Sequence, residues 1–210
     1  MAIRDKLYKR PLDLVILLTA HIILLPLWLL LWTAIPLAIW LQDRGPVFFK
    51  QYRMGKGGKE FKVLKFRTMV VNADKIGPSW NTPNDRRVTT LGRVLRKTAL
   101  DELPQILNIA KGEMSFVGPR SLDVDEHRIL ETEIQGFKQR LAVRPGLTGL
   151  AQLYDTTDVA ATKLHYDLEY IRRMSLWLDV RIILLSAWTT LVAQWDRRSG
   201  KPPSQTTATQ

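Results

Sequence analysis

Cysteine is absent from this chain. There is therefore no disulfide framework, no thiolate metal site and no cysteine nucleophile. The absence fits a reducing compartment. Histidine is scarce. His21 lies in an apolar run, and neither His127 nor His165 has a serine or cysteine pattern beside it. For all three, structural or surface roles are the expectation. Acidic residues are outnumbered, 20 Asp and Glu against 31 Lys and Arg, for a net charge of +11. A surplus of that size points to an anionic partner: nucleic acid, anionic lipid or phosphorylated small molecules. No zinc-finger or basic-zipper pattern is visible, which argues against nucleic acid. No internal repeat is visible either.

The most informative absence is local. Residues 12–41 hold a single charge, Asp13. As one straight helix, Leu14 to Leu41 would be about 42 Å long, against a hydrocarbon core of about 30 Å. Arg4, Lys6, Lys9 and Arg10 precede the run, and Arg44, Lys50, Arg53, Lys56 and Lys59 follow it. Lys and Arg favour the cytoplasmic side, so a spanning helix would put one cluster on the wrong face. Pro26 sits near the middle and Pro36 beyond it. A proline inside a helix removes a backbone hydrogen bond and kinks it. These features predict a segment that enters the membrane, bends near Pro26 and returns to the same face. A single-pass anchor is the alternative that the residues leave open. The run is too long for a signal peptide and lacks a small-residue cleavage site, so it is expected to be retained.

Gly45 and Pro46 end the apolar run. Val47–Tyr52 and Glu60–Phe66 read as strands around a loop of hairpin composition. Residues 72–85 are rich in Gly, Pro and Asn and read as a loop. From Thr89 the spacing of Leu91, Val94 and Leu95 predicts a helix, and Leu103, Ile106, Leu107 and Ala110 predict another, closed by Gly112. Residues 123–141 read as one helix, 143–149 as a turn and 163–178 as a further helix. The apolar stretch 180–195 is short for a span and has Trp177, Trp188 and Trp195 near it. Tryptophan prefers the head-group level, which predicts a helix lying in the membrane surface. An ordinary buried helix is the alternative.

The sharpest candidate site is the adjacent acid pair Asp101 and Glu102. Neighbours on a helix project about 100° apart, so both can face one site only near a terminus, and Pro104 places the helix start there. The plain reading is that Asp101 caps the helix, worth about 1 kcal/mol, and that Glu102 favours the positive end of the dipole. The surroundings favour chemistry. Lys65, Arg67, Arg96 and Arg120 bracket the pair, with Gly118 and Pro119 before Arg120. Arginine contacts to phosphate contribute roughly 1.5–3 kcal/mol each. A divalent metal reconciles acids with an anionic substrate, since Mg²⁺ is typically held by one or two carboxylates plus phosphates.

Several long motifs, in order, carry a resemblance. KRPLD (9–13), GPVFFKQYRMGKGGKEFKVLKFRTM (45–69), LDELPQILNIAKGEMSFVGPR (100–120), RPGLTGLAQ (144–152) and YIRRMSLWLDVRIILLSAWTTL (170–191) resemble the bacterial sugar transferases, the small monotopic phosphoglycosyl transferases. The resemblance implies an α+β, mostly α fold: a re-entrant membrane helix hairpin and a compact cytoplasmic catalytic domain with a short β-hairpin and interfacial amphipathic helices. It implies transfer of a phospho-sugar from a UDP-sugar donor to polyprenyl phosphate at the cytoplasmic face of the bacterial inner membrane. UMP is released, and the product starts the assembly of exopolysaccharide, capsule, O-antigen or glycoprotein. Asp101 resembles the nucleophile that forms a covalent phospho-sugar intermediate and also contacts Mg²⁺. Such a nucleophile must not be buried, and must face a cavity that nucleotide and lipid both reach. Glu102 matches the second acid, assisting the metal site or proton handling, and Arg120 the phosphate-binding arginine. The chain departs from the family pattern at Leu25, where serine is usual, at Ser121, where proline is usual, and over 153–156. The donor sugar is left open.

The expected organisation is a basic flank and membrane segment over 1–44, a catalytic domain over 45–195 and a disordered tail over 196–210. Expected partners are the two substrates and membrane lipids, with no nucleic acid. A homodimer is compatible with the chain, although no motif demands one. The alternative function is a non-catalytic basic adaptor binding anionic lipid.

Overall fold

The computed structural model describes residues 5–76, 85–157 and 159–191. The apolar run forms two helices, α1 (Lys9–Ile23) and α2 (Leu25–Asp43). The break falls at Leu24 (φ −104°, ψ 21°), two residues before the expected hinge. Pro26 lies in the first turn of α2, where its missing N–H breaks no helical bond. Leu17 of α1 packs with Phe61, Val63, Ile106, Ile109 and Met114, while Ile35 and Ile39 of α2 pack with Phe66 and Leu95. Both ends of the run are thus seated on the same domain. The stretch around the break, including Ile22, Ile23, Leu25, Leu29 and Leu30, is exposed. Among the described residues, α2 is the one helix long and apolar enough to cross a membrane.

β1 (Phe48–Met54) and β2 (Glu60–Phe66) pair antiparallel, with Phe48 opposite Phe66 and Met54 opposite Glu60. This is the hairpin the sequence predicts. After a short α3 (Ala73–Ile76), α4 (Thr90–Lys97) starts where Thr89 Oγ1 accepts the Gly92 N–H at 2.9 Å. A 3-10 helix (Leu100–Gln105) then runs into α5 (Ile106–Lys111), which Gly112 ends at φ 80°. β3 (Ser115–Val117) follows.

The expected helix over 123–141 is divided. α6 (Val124–Glu133) stops, Gly136 takes φ 81°, and a separate 3-10 helix covers Phe137–Ala142. The expected turn over 143–149 contains β4 (Gly146–Thr148), which pairs parallel with β3. Then come α7 (Leu150–Tyr154), α8 (Ala160–Arg173) and α9 (Leu176–Leu191). The expected helix over 163–178 is broken at Met174, and Ser175 Oγ accepts the Leu178 N–H at 3.3 Å to start α9. On α9, Ile182 is buried, whereas Trp177 and Trp188 are 78% and 66% exposed. It is not an ordinary buried helix. The tail over 196–210, Trp195 and most of the loop over 72–85 lie outside the described residues.

The fold is therefore mostly helical with two small two-stranded sheets, β1–β2 antiparallel and β3–β4 parallel. The KRPLD motif ties its two ends together. Lys9 is buried, and its Nζ donates to Val117 O (2.6 Å), Tyr170 Oη (2.9 Å) and Asp179 Oδ2 (3.0 Å). Arg10 donates to the Ile109 and Ala110 carbonyls at the end of α5, and Asp13 accepts from Ser115 Oγ and Phe116 N on β3. Lys9 and Arg10 are thus anchors inside the protein as well as members of a basic flank.

Candidate active site

Ala99 sits in the left-handed region (φ 54°), which costs a non-glycine residue about 1–3 kcal/mol. That turn redirects the chain from α4 into the 3-10 helix and carries Asp101 and Glu102 inward. Neither residue is a side-chain cap. Lys65 is aimed at them by strand alternation. It shares a face of β2 with Phe61 and Val63, both core residues, because every second side chain points the same way. Asn108, fully buried, holds the helix after the acid pair against that strand. Its Nδ2 donates to Lys62 O at 2.7 Å, and its Oδ1 accepts the Leu64 N–H at 3.2 Å.

Arg120 arrives from the other side. Gly118 N donates to Thr148 O and Gly146 N to Pro119 O, each at 2.9 Å. A Cβ on Gly146 would collide with the backbone of Gly118, so this close approach requires glycine. The carbonyls of Arg120 and Ser121 are each gripped by another arginine: Arg140 Nη2 to Arg120 O at 2.8 Å and Arg53 Nη1 to Ser121 O at 2.5 Å. Arg140 in turn is paired with buried Asp167 at 2.7 Å.

These elements converge on Glu102. Its Oε1 accepts from Lys65 Nζ at 2.7 Å and from Arg120 Nη2 at 2.9 Å. Burial opposes its ionisation, but Arg120 and Lys65 outweigh that and hold its carboxyl below the usual range. Asp101 is in the opposite situation. Burial, only partly offset by Lys65, pushes its carboxyl up to about 6, and the Glu102 charge adds to the rise. Asp101 is buried, 8% exposed, which departs from the expected unburied nucleophile: the turn at Ala99 carries it inward. Its side chain accepts no hydrogen bond among the described residues.

The other expected residues are placed as follows. Arg96 Nε donates to Thr68 Oγ1 at 2.9 Å, and its charge stabilises the Asp101 carboxylate. Arg67 stands apart, its Nη2 paired with Asp43 at the end of α2. Pro26 lies beside the break described above. In the sequence Arg53 reads as part of the basic flank and not as a site residue. It is drawn into the cluster by its carbonyl contact, and burial together with the Arg120 charge pushes it down to about 10. Its signal is position: it lies on the β1 face that carries Gln51, paired across from Val63 and Phe61.

Among the described residues no group of three or more His, Asp or Glu side chains could cage a metal. Glu102 is committed to two cations, and Asp101 offers unshared oxygens. That donor set fits a divalent ion completed by substrate phosphates, the usual way Mg²⁺ is held, and does not fit an all-protein cage. Chemically, the site presents one uncommitted carboxylate beside two cations fixed on a neighbouring carboxylate. Such an arrangement can attack a phosphoryl group while neutralising its oxygens.

A family model described as bacterial sugar transferase matches residues 4–193. The chain is 42% identical over 192 residues to a UDP-glucose:undecaprenyl-phosphate glucose-1-phosphate transferase of Klebsiella pneumoniae, a match covering 88% of this chain and 40% of that protein. It is 38% identical over 187 residues to the UDP-N-acetylgalactosamine-undecaprenyl-phosphate N-acetylgalactosaminephosphotransferase of Aeromonas hydrophila, covering 87% of this chain and 43% of that one. The exopolysaccharide production protein ExoY of Sinorhizobium fredii is 40% identical over 191 residues, covering 83% of this chain and 81% of ExoY. The chain thus spans about two fifths of the length of the first two relatives.

Proposed function

The chain belongs to the bacterial sugar transferase family, and on that premise we propose that it transfers a phospho-sugar from a UDP-sugar to polyprenyl phosphate and releases UMP. Undecaprenyl phosphate is the acceptor in its relatives' names. The observation that carries the reading is the division of labour in the acid pair: Glu102 is locked by Lys65 and Arg120, while Asp101 accepts no hydrogen bond from the described residues.

In the first step an Asp101 oxygen attacks the sugar-bearing phosphorus of the donor. The bond from that phosphorus to the bridging oxygen breaks, and UMP leaves with the electron pair. In the second step a phosphate oxygen of the acceptor attacks the same phosphorus, and Asp101 is released as the carboxylate. One difficult displacement becomes two easier ones. Lys65 and Arg120, fixed in place by Glu102, meet charge on the phosphoryl oxygens, and Arg96 adds a further cation close to Asp101. Asp101 would hold a divalent ion such as Mg²⁺, which would supply further charge neutralisation for the phosphoryl oxygens.

The apolar run is read as a re-entrant hairpin at the cytoplasmic face of the bacterial inner membrane, with 45–195 as the catalytic domain. The seating of both α1 and α2 on one domain, with an exposed apolar bend between them, supports that placement. The exposed tryptophans of α9 suit the head-group level. The product would be the first lipid-linked sugar of a bacterial glycan, in keeping with the exopolysaccharide role in the name of ExoY.

The test is to offer the purified protein in nanodiscs a panel of UDP-sugars with undecaprenyl phosphate and Mg²⁺, and to measure UMP. Release with at least one donor, abolished by excess chelator, is expected. Binding to anionic vesicles without UMP from any donor would instead identify a lipid-binding adaptor.

A further inference from the structure

Residues 118–123 belong to no helix or strand, yet they carry Arg120 to Glu102. The carbonyls of four consecutive residues in this segment are each engaged. The Gly146 N–H donates to Pro119 O at 2.9 Å and the Met54 N–H to Leu122 O at 3.0 Å. The two carbonyls between them are held by side chains: Arg140 Nη2 donates to Arg120 O at 2.8 Å and Arg53 Nη1 to Ser121 O at 2.5 Å. These belong to the two peptide units directly after the Arg120 Cα. Each of the two arginines is itself oriented from outside the segment. Arg140 donates to Asp167 Oδ2 on α8 through Nε at 2.9 Å and Nη2 at 2.7 Å, and both side chains are buried. Arg53 donates to Gln51 Oε1 through Nε and Nη2. Gln51 Nε2 in turn donates to Asp123 Oδ2, and the other oxygen of Asp123 caps α6.

Holding this segment with guanidinium groups carries an electrostatic cost. Burial and the Arg120 charge both oppose the Arg53 cation. Among the described residues, its hydrogen bonds go to a carbonyl and an amide oxygen and to no carboxylate. A backbone N–H, as at Pro119 and Leu122, holds a carbonyl without that repulsion. What an arginine adds is reach and a planar fork that fixes direction as well as distance. Arg120 has need of it. Its side chain is 40% exposed, and among the described residues its hydrogen bond is the one to Glu102. Packing therefore does not hold its far end, and the direction in which it leaves the backbone decides where its guanidinium lies. We propose that Arg53 and Arg140 are positioning residues for Arg120, clamping the backbone behind it so that its guanidinium stays on Glu102 beside Asp101. The inference rests on the transferase reading above and names what aims one of that reaction's cations.

Arg53→Met keeps most of the side-chain length and removes the donors. With full-length protein in nanodiscs it should lower kcat for UMP release about tenfold and leave the donor KM within about twofold, inside the range of up to about 10²-fold that a misplacement of about 1 Å can cost. In an Arg120→Ala background the same change should cost less than about twofold, because the group it positions is gone. Arg53→Lys, which keeps a donor for Ser121 O, should recover most of the loss. Arg140→Met combined with Asp167→Leu strands no buried charge and should behave as Arg53→Met does. Equal losses with and without Arg120 would overturn the proposal, since a merely structural role lowers activity in both backgrounds. A second cycle needs no turnover. The coupling between Arg120 and Glu102 is measured from urea melts of Arg120→Ala, Glu102→Gln and the double variant, then measured again with Arg53→Met in every protein. A coupling reduced to about half or less is expected, and an unchanged coupling would overturn the proposal. Absence of UMP release by the wild type with every donor would defeat the transferase reading, and this coupling would still decide whether Arg53 aims Arg120.

Discussion

Lys65 Nζ lies 2.7 Å from Glu102 Oε1, across a strand and a 3-10 helix. The same oxygen accepts Arg120. An inward-pointing lysine on a half-buried strand is expensive unless paired, and here the pairing fixes two cations next to Asp101. Lys65→Met should leave Arg120 alone on Glu102 and lower kcat/KM for UMP release by about 10²-fold, the usual effect of losing one preorganised donor. Lys65→Arg should recover part of the loss. Unchanged activity in Lys65→Met would show that the cation has no part in transfer.

Asp101 should weaken the fold that carries it. Its carboxyl is raised from 3.8 to about 6, chiefly by burial, so the folded protein holds this proton more tightly than the unfolded chain does. Between about pH 4 and 6 the unfolded chain ionises first, so stability falls as pH rises, and the loss is complete above about 6. Asp101→Asn removes the penalty. In urea melts without divalent metal it should gain about 1–3 kcal/mol near pH 7.5, and the gain should vanish near pH 4. Transfer by the wild type should in turn decline as pH drops through about 6, because the attacking carboxylate becomes protonated. Equal stability of the two proteins near pH 7.5 would contradict the buried-charge assignment.

Lys9 and Asp179 join the start of α1 to α9 with side chains 3% and 0% exposed. Lys9→Met leaves Asp179 buried with the Tyr8 and Tyr170 hydroxyls as its side-chain partners among the described residues, and should cost about 3–5 kcal/mol. The double change Lys9→Met with Asp179→Leu should cost less than the sum of the single changes, since no charge is then stranded. Chemical denaturation in detergent measures both, and strict additivity would show that the pair is not coupled.

The absence of cysteine makes membrane topology directly testable. Single cysteines at Lys6 and Arg44, on either side of α1 and α2, should both react with an impermeant maleimide in inverted inner-membrane vesicles. Neither should react in sealed spheroplasts. Opposite accessibility of the two sites would mean that the run crosses the bilayer.

What was legible in the sequence was mostly local. The helix beginning at Thr89, Gly112 as a helix end and the hairpin ending at Phe66 each depend on neighbours within a few residues. The inward face of β2 could also be read, because Lys65 alternates with Val63 and Phe61. The buried partners could not. Asn108 reaches Leu64, 44 residues away; Arg53 reaches Ser121 at a separation of 68; and Lys9 reaches Asp179 at 170. β3 and β4 are three residues each, too short to show a period, and their pairing depends on the bare backbones of Gly118 and Gly146. The break at Met174 was hidden because apolar residues continue across it.

The most direct test is to mix wild-type protein with the competent UDP-sugar and Mg²⁺, omit the lipid acceptor, and weigh the intact protein by mass spectrometry. A covalent adduct of one phospho-sugar should form with release of one equivalent of UMP. It should map to the peptide carrying Asp101, discharge when polyprenyl phosphate is added, and be missing in Asp101→Asn. UMP release that strictly requires the acceptor, with no adduct on rapid quenching, would contradict an aspartyl intermediate, as would an adduct that persists in Asp101→Asn.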